Sequence, residues 1–242
     1  PHTAKVIALT DGTGTIHDSQ GLDLAIIKDL FYQTKGINHY PPEKLSAGGF
    51  LVDRSRRRYP SAYIQETLCW RKVGDHVVED WLSGSDTNHL LRLNVHQAKT
   101  DIFIPAGGRP RTLNETNVEE FLDSAGRPTS KAIIEGANLY LNAKARHFLE
   151  EKGVLIIKDS SANKGGVICS SFEVLCGLAL DEKTFIKHKA ALVEEILDRL
   201  KLYASYEADL LLQTHKQTGE FLTSISDRLS ERINQYTYQL LD

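Results

Sequence analysis

Apolar residues along this chain fall into two rhythms. Short continuous runs at Lys5–Thr10 (KVIALT), Asp101–Pro105 (DIFIP), Lys131–Glu135 (KAIIE) and Val154–Ile157 (VLII) predict buried strands, with a further short one at 49–52. Between and after them the apolar positions recur at three and four. Leu24, Ile27, Leu30 and Phe31 predict a helix within 21–34, and residues 142–152 predict another that stops at Gly153. Residues 116–123 read as a helix capped by Asn114 or Asn117. An apolar helix follows the stretch SSANKGGVICSSFE (160–173). From Asp181 onward the pattern is purely helical, with stripes at Leu192, Ile196, Leu200, Tyr203 and at Leu222, Ile225, Leu229, Ile233, Tyr236, Leu240 that read as core-facing. Residues 54–99 show no clean period and read as an irregular insertion with a short helix near 87–92.

Strand, loop and helix in repeated succession imply an α/β fold with a doubly wound, Rossmann-like parallel sheet. Each long strand ends in a small polar loop containing glycine: Asp11-Gly12, Ala106-Gly107-Gly108, Gly136-Ala137-Asn138 and Asn163-Lys164-Gly165-Gly166. Ligands of such sheets lie beyond the carboxyl ends of the strands. Four such loops are therefore expected along one edge. Glycine admits a close backbone approach, and Asn and Ser offer neutral donors and acceptors suited to sugar hydroxyls and carboxamides. Any one of these loops, taken alone, is equally an ordinary turn.

Composition narrows the chemistry. The chain has 242 residues, 41% of them hydrophobic, enough to bury the core of one or two domains. A net charge of −3 gives no reason to expect nucleic acid or an anionic membrane as partner. The cluster Arg54, Arg56, Arg57, Arg58 is local and reads as a solvated loop, with an anion or partner patch as the alternative. Cys69, Cys169 and Cys176 and the nine histidines show no metal-ligand spacing. Three sparse cysteines suit a reducing compartment, the cytoplasm in the first instance with the mitochondrion left open. No run has the length of a membrane span, and no signal peptide is expected. There is no methionine, so Pro1 reads as a chain that lost its initiator, as part of something longer, or as a record with residues missing.

Gly12-Thr13-Gly14 invites comparison with the dinucleotide fingerprint GxGxxG, but its third glycine position holds His17 and the match fails. Neither GxxxxGK[ST] nor GxSxG occurs. Asp11 suggests a different placing. In dinucleotide folds the acid that binds the adenosine ribose ends the second strand, about 20 residues after the fingerprint. Asp11 ends the first strand of this chain, so the first strand and fingerprint of the fold are expected to lie before Pro1. The alternative is an Asp-Gly strand-end turn.

Three segments carry a family resemblance. GANLYLNAKARHFLEEKGVLIIKDSSANKGGVICSSFEVL, VIALTDGTGTIHDSQGLD and DIFIPAGGRP resemble, in order, parts of the cofactor domain of the glutamate/leucine/phenylalanine/valine dehydrogenases. The GGRP ending and KDSSANKGGV look like the large NAD-dependent glutamate dehydrogenases rather than the short hexameric ones. The resemblance implies an NAD-binding Rossmann-like domain over 1–180, incomplete at its N-terminus and carrying the insertion near 54–99, followed by a helical tail over 181–242. It implies that Asp11 and Gly12 meet the adenosine ribose, favouring NAD over NADP. Pro105, Ala106 and Gly107 would lie along the cofactor, Asn138 would contact the nicotinamide ribose, and Asn163 the nicotinamide side. Ser170 would help hold the substrate's side-chain carboxylate, with Val167 on the pocket wall. Two departures stand out: Lys164 occupies an alanine position of the short enzymes and has no assigned role, and the Gly107-Gly108 pair leaves the adenine-side contact undefined.

The resemblance places the catalytic lysine and aspartate, and the lysines that clamp the substrate, in a separate domain expected upstream. No Gly-Gly-x-Lys-Gly segment supplies them here, so no residue of this chain is expected to be catalytic. The implied reaction is oxidative deamination of L-glutamate to 2-oxoglutarate and ammonium with NAD reduction, in a homo-oligomer. Two rivals remain: a non-catalytic nucleotide-binding or interaction module, and a related dehydrogenase acting on another amino acid. The hydroxyl of Ser170 weighs against a hydrocarbon side chain in the substrate.

Overall fold

A computed structural model of the chain describes residues 4–241, and within them all side chains but those of residues 93, 95 and 96. The chain divides into two compact units. One comprises 1–100 with 120–129, and the other 101–119 with 130–242.

The first unit is built on a five-stranded antiparallel meander: β1 (Ala8–Thr10), β2 (Gly14–His17), β3 (Phe50–Ser61), β4 (Ile64–Val73) and β5 (His76–Leu82). The strand that ends at Asp11 therefore lies beside β2, with Leu9 opposite Ile16, and not in a parallel sheet with the other three. An apolar run specifies burial but does not choose its partner; here a tight turn over residues 11–13 lets the chain fold straight back. Helix α1 (Leu24–Tyr32) starts at Asp23, whose carboxylate accepts the Ala25 and Ile26 N–H groups at 2.9 and 3.4 Å. Its inner residues Ile26, Ile27 and Leu30 pack on a core of Ile16, Leu22, Ile37, Tyr40, Leu45 and Leu51.

Residues 54–99 are regular, contrary to the sequence reading. They form the outer half of β3, then β4, β5 and α2 (Gly84–His96), which covers the expected short helix. The missing period has a physical cause. Residues 50–53 of β3 are buried, whereas 54–61 are exposed on both faces, so no alternation is imposed there. Register shifts between Asp53 and Arg57 and between Arg58 and Ser61 break the pairing further. The arginine cluster thus lies on a strand rather than a loop. Arg58 bonds Glu66 at 2.6 Å and lies 4.5 Å from the ring centre of Trp81.

The second unit carries the three-stranded sheet β6 (Thr100–Phe103), β7 (Ser130–Ile134) and β8 (Leu155–Ile157), in that order. β7 and β8 are parallel, with Ile133 opposite Ile156, both fully buried. The crossover helix α3 (Ala143–Glu151) starts at Asn142, which accepts the Ala145 N–H at 2.9 Å, and stops before Gly153, at φ 85°. Beyond β8 come the single turn α4 (Asp159–Ala162) and three helices, α5 (Gly165–Ala179), α6 (Glu182–Thr218) and α7 (Leu222–Leu241). The α/β class, a parallel strand pair and the helical C-terminal part all stand. Glu150 of α3 accepts both the Thr223 N–H at 3.2 Å and its hydroxyl at 2.6 Å, which caps α7 and ties it to the crossover. Leu211, Leu222 and Ile225 then close over Ile157.

Two local expectations change. Residues 118–121 form one 3-10 turn instead of a longer helix. The α7 stripe is buried only at its start. Leu222 and Ile225 are 2% and 3% exposed, but Ile233, Tyr236 and Leu240 are 50%, 63% and 87% exposed, because the helix outruns the cluster it packs on.

Gly14 permits the β2–β3 pairing, since a Cβ there would lie 2.2 Å from the Val52 carbonyl oxygen. Gly14→Ala is expected to lower the unfolding free energy by about 2 kcal/mol or more. Gly12→Ala, with open space around it, is expected to stay within about 0.5 kcal/mol. Urea denaturation of the two variants checks this; equal midpoints would contradict the steric account.

Candidate functional site

In the second unit three loops follow β6, β7 and β8, and the structure brings them together. The Pro105 carbonyl accepts the Ala137 N–H at 2.7 Å. Gly136 lies against Ala106, where an added Cβ would be 3.4 Å from the Ala106 Cα. The Asn163 side-chain N–H donates to the side-chain oxygen Oδ1 of Asn138 at 2.7 Å. Beside this amide pair is a recess of about 400 Å³, lined by Asn138, Asp159, Ser160, Asn163, Lys164, Val167 and Ile168. The range suits a small ligand or part of a larger one.

Of the expected site residues in this unit, Asn138, Asn163 and Val167 line the recess, and Pro105 and Ala106 abut the loop that carries Asn138. Gly107 has open space around it. Its neighbour Gly108 has φ 131° and would place a Cβ 2.8 Å from the Tyr140 ring, so glycine is required at 108 for a reason of shape. Val167 is 71% exposed, and Ser170 lies exposed on α5 one turn beyond it. The unassigned Lys164 stands in the wall of the recess, paired with Glu207 of α6.

Beneath the amide pair lies an ion cluster that the sequence reading missed. Arg146 of α3 holds Glu135, at the end of β7, through two bonds of 2.7 and 2.8 Å, and reaches Asp159 at 3.1 Å. Glu135 is fully buried, and the Arg146 and Asp159 side chains are 11% and 13% exposed. Burial opposes the Arg146 charge, but Glu135 and then Asp159 outweigh it and raise the guanidinium pKa above its ordinary value. Asp159 also accepts the Leu139 N–H at 2.8 Å, and Glu135 accepts the Leu141 N–H at 3.4 Å. Leu139 has φ 55° and its carbonyl accepts the N–H of Arg111, itself at φ 59°, at 2.7 Å. Carboxylates at two successive strand ends, Glu135 after β7 and Asp159 after β8, were the available signal. Nothing local marks Arg146 as the residue that joins them.

Asp11 and Gly12 lie in the first unit. The Asp11 carboxylate accepts the Thr13 N–H at 2.7 Å, the Thr13 hydroxyl at 2.6 Å and the Gly14 N–H at 3.1 Å on one oxygen, and the Ile37 N–H at 2.9 Å on the other. Burial pushes its pKa up, yet these bonds outweigh burial and leave it below the ordinary 3.8. Among the described residues, no group of His, Cys, Asp and Glu could hold a metal ion, and no helix is long and apolar enough to cross a membrane.

Residues 1–219 match the family model of the Glutamate/Leucine/Phenylalanine/Valine dehydrogenases, and the chain belongs to that family. It is 34% identical over 240 residues to a probable NAD-specific glutamate dehydrogenase of Schizosaccharomyces pombe, covering 95% of this chain and 20% of that protein. Glutamate dehydrogenase 2 of Dictyostelium discoideum is also 34% identical, over 241 residues, 95% of this chain and 22% of that protein. The chain thus spans about a fifth of the length of these relatives. Among solved structures it resembles the hetero-hexameric glutamate dehydrogenase of Thermus thermophilus, with TM-score 0.49 and 16% identity over 94% of this chain and 40% of that one. Plasmodium falciparum glutamate dehydrogenase 2 gives TM-score 0.47 and 16% identity over 94% and 41%.

The Asp11 bonds make a pH prediction. With its folded pKa below 3.8, Asp11 contributes stability that is present above pH 3.8 and is lost as pH falls through the folded value. Asp11→Asn cannot accept at both oxygens, so it is expected to be less stable than wild type at pH 7 by about 1–2 kcal/mol. The gap should shrink as both are titrated below pH 3.8. Urea unfolding across pH 2.5 to 7 checks it; a gap that stays constant would contradict this account.

Proposed function

We propose that this chain supplies the NAD-binding part of an NAD-dependent glutamate dehydrogenase that oxidatively deaminates L-glutamate. The observation that carries the reading is the meeting of three strand-end loops around the Asn138–Asn163 amide pair and its recess. The donor set fits the group. Two neutral amides suit a ribose and a carboxamide, and Val167 and Ile168 offer an apolar surface for a flat ring. NAD-specific relatives over 95% of the chain support the choice of cofactor.

On this reading Asn138 binds the nicotinamide ribose and Asn163 the nicotinamide side. Pro105, Ala106 and Gly107 lie along the cofactor, and Ala106 backs the loop that presents Asn138. Asp11 and Gly12 are assigned to the adenosine ribose from their motif alone. NAD held by these residues would supply the acceptor for the hydride of the amino acid's α-carbon, and hydrolysis of the imine so formed would give 2-oxoglutarate and ammonium. The residues of this chain orient and shield. Val167 forms the wall beside the substrate, and the Ser170 hydroxyl donates to its side-chain carboxylate. Proton transfer is assigned to the lysine and aspartate of a further domain.

A second reading, an interaction module, draws on the exposed Ile233, Tyr236 and Leu240 of α7. The same residues would be covered in a homo-oligomer.

In the longest natural form of the protein containing this chain, Ser170→Ala is expected to lower kcat/KM for L-glutamate about tenfold and to leave norvaline nearly unchanged. Equal losses on both would contradict the role of Ser170. Asp11→Ala is expected to reduce the preference for NAD over NADP in steady-state assays with each cofactor. An unchanged preference would remove Asp11 from the cofactor site.

A further inference from the structure

The buried ion cluster joins three parts of one loop system. Arg146 is the only cation bonded to either carboxylate among the described ion pairs. Each carboxylate also accepts from the backbone that follows Asn138: Asp159 from the Leu139 N–H, beside a bond from the Ser160 N–H, and Glu135 from the Leu141 N–H. Between those two bonds the chain takes a conformation it would otherwise avoid. Leucine at φ 55° is disfavoured by its Cβ, and Leu139 is 56% exposed, so packing does little to hold it there. Strained residues persist where their surroundings over-determine them. The surroundings here are the Asp159 bond to Leu139 N–H and the Arg111 bond to Leu139 carbonyl. Asn138, directly before the strained residue, thereby meets Asn163.

The geometry points to Arg146 as a positioning residue for the nicotinamide end of a bound dinucleotide: through Glu135 and Asp159 it fixes Leu139 in the left-handed conformation and so holds Asn138 against Asn163. This rests on the proposed cofactor reading. Arg146 is not among the residues that line the recess and acts only through others. A guanidinium is needed because its planar fork engages Glu135 at two points while still reaching Asp159; a lysine ammonium cannot reproduce that geometry.

The test compares two ligands in the longest natural form of the protein containing this chain. NADH carries the nicotinamide half, and ADP-ribose lacks it. Binding of each is measured by fluorescence titration and competition, with the thermal midpoint recorded alongside. Arg146→Lys is expected to weaken NADH about tenfold and ADP-ribose less than twofold. Adding Leu139→Gly should restore part of the lost NADH affinity, because glycine takes the left-handed conformation without the clamp. Asp159→Asn, made alongside in case Arg146→Lys does not fold, should weaken NADH selectively in the same direction. Equal loss of both ligands, or no rescue by Leu139→Gly, would overturn the positioning role. A wild-type protein that binds ADP-ribose and NADH equally weakly, or neither, would instead overturn the cofactor reading on which it rests.

Discussion

The second unit depends on a charge that has no water to go to. Arg146 is nearly buried and Glu135 fully so, and taking either from water alone would cost several kcal/mol. Their two-point contact, with Asp159 as third member, makes burial tolerable, and removing one partner of such a set costs about 3–5 kcal/mol. The set joins the end of β7, the crossover helix and the turn after β8. The loops that leave β7 and β8 carry most of the residues that line the recess. A hydrophobic trio would fill the same space, but it would not supply acceptors for the N–H groups of Leu139 and Leu141.

A second tie acts on the other side of α3. Glu150 caps α7 through Thr223, and the cluster of Leu211, Leu222 and Ile225 closes on Ile157. Burial raises the pKa of Glu150 while the Thr223 bonds pull it down, so the cap carries a desolvation cost that its hydrogen bonds only partly offset. The crossover helix is thus held at both ends by carboxylates, Glu135 beside its first turns and Glu150 within its last. The loop that bears Asn138 runs between β7 and that helix.

Much of the candidate site was legible in the chain because its signals are local. Gly136-Ala137-Asn138 and Asn163-Lys164-Gly165-Gly166 each follow an apolar run, and both border the recess as the strand rhythm implied. The remainder was hidden for separate reasons. The strand pattern of β1 carried no information about its partner, and it joined an antiparallel meander. The ribbon of β3 and β4 escaped notice because its outer residues are wet on both faces and impose no period. Arg146 escaped because its partners lie 11 and 13 residues away on other elements. The Asp11 carboxylate is bonded to three donors of its own turn and to the Ile37 N–H, so the bonding seen within the chain is that of a strand-end turn, the alternative weighed for it.

The chain belongs to a dehydrogenase family, and on the proposed reading the recess of the second unit, with its two amides, receives the nicotinamide ribose. The central claim is that the nicotinamide half of NAD lies at the Asn138–Asn163 pair. Backbone and side-chain amide NMR of the isotope-labelled protein, titrated with NADH, tests it most directly. The account predicts saturable shifts at Asn138, Asn163, Gly165 and Gly166 that ADP-ribose does not reproduce. Saturable NADH shifts that spare these residues, or that ADP-ribose matches at each of them, would contradict it.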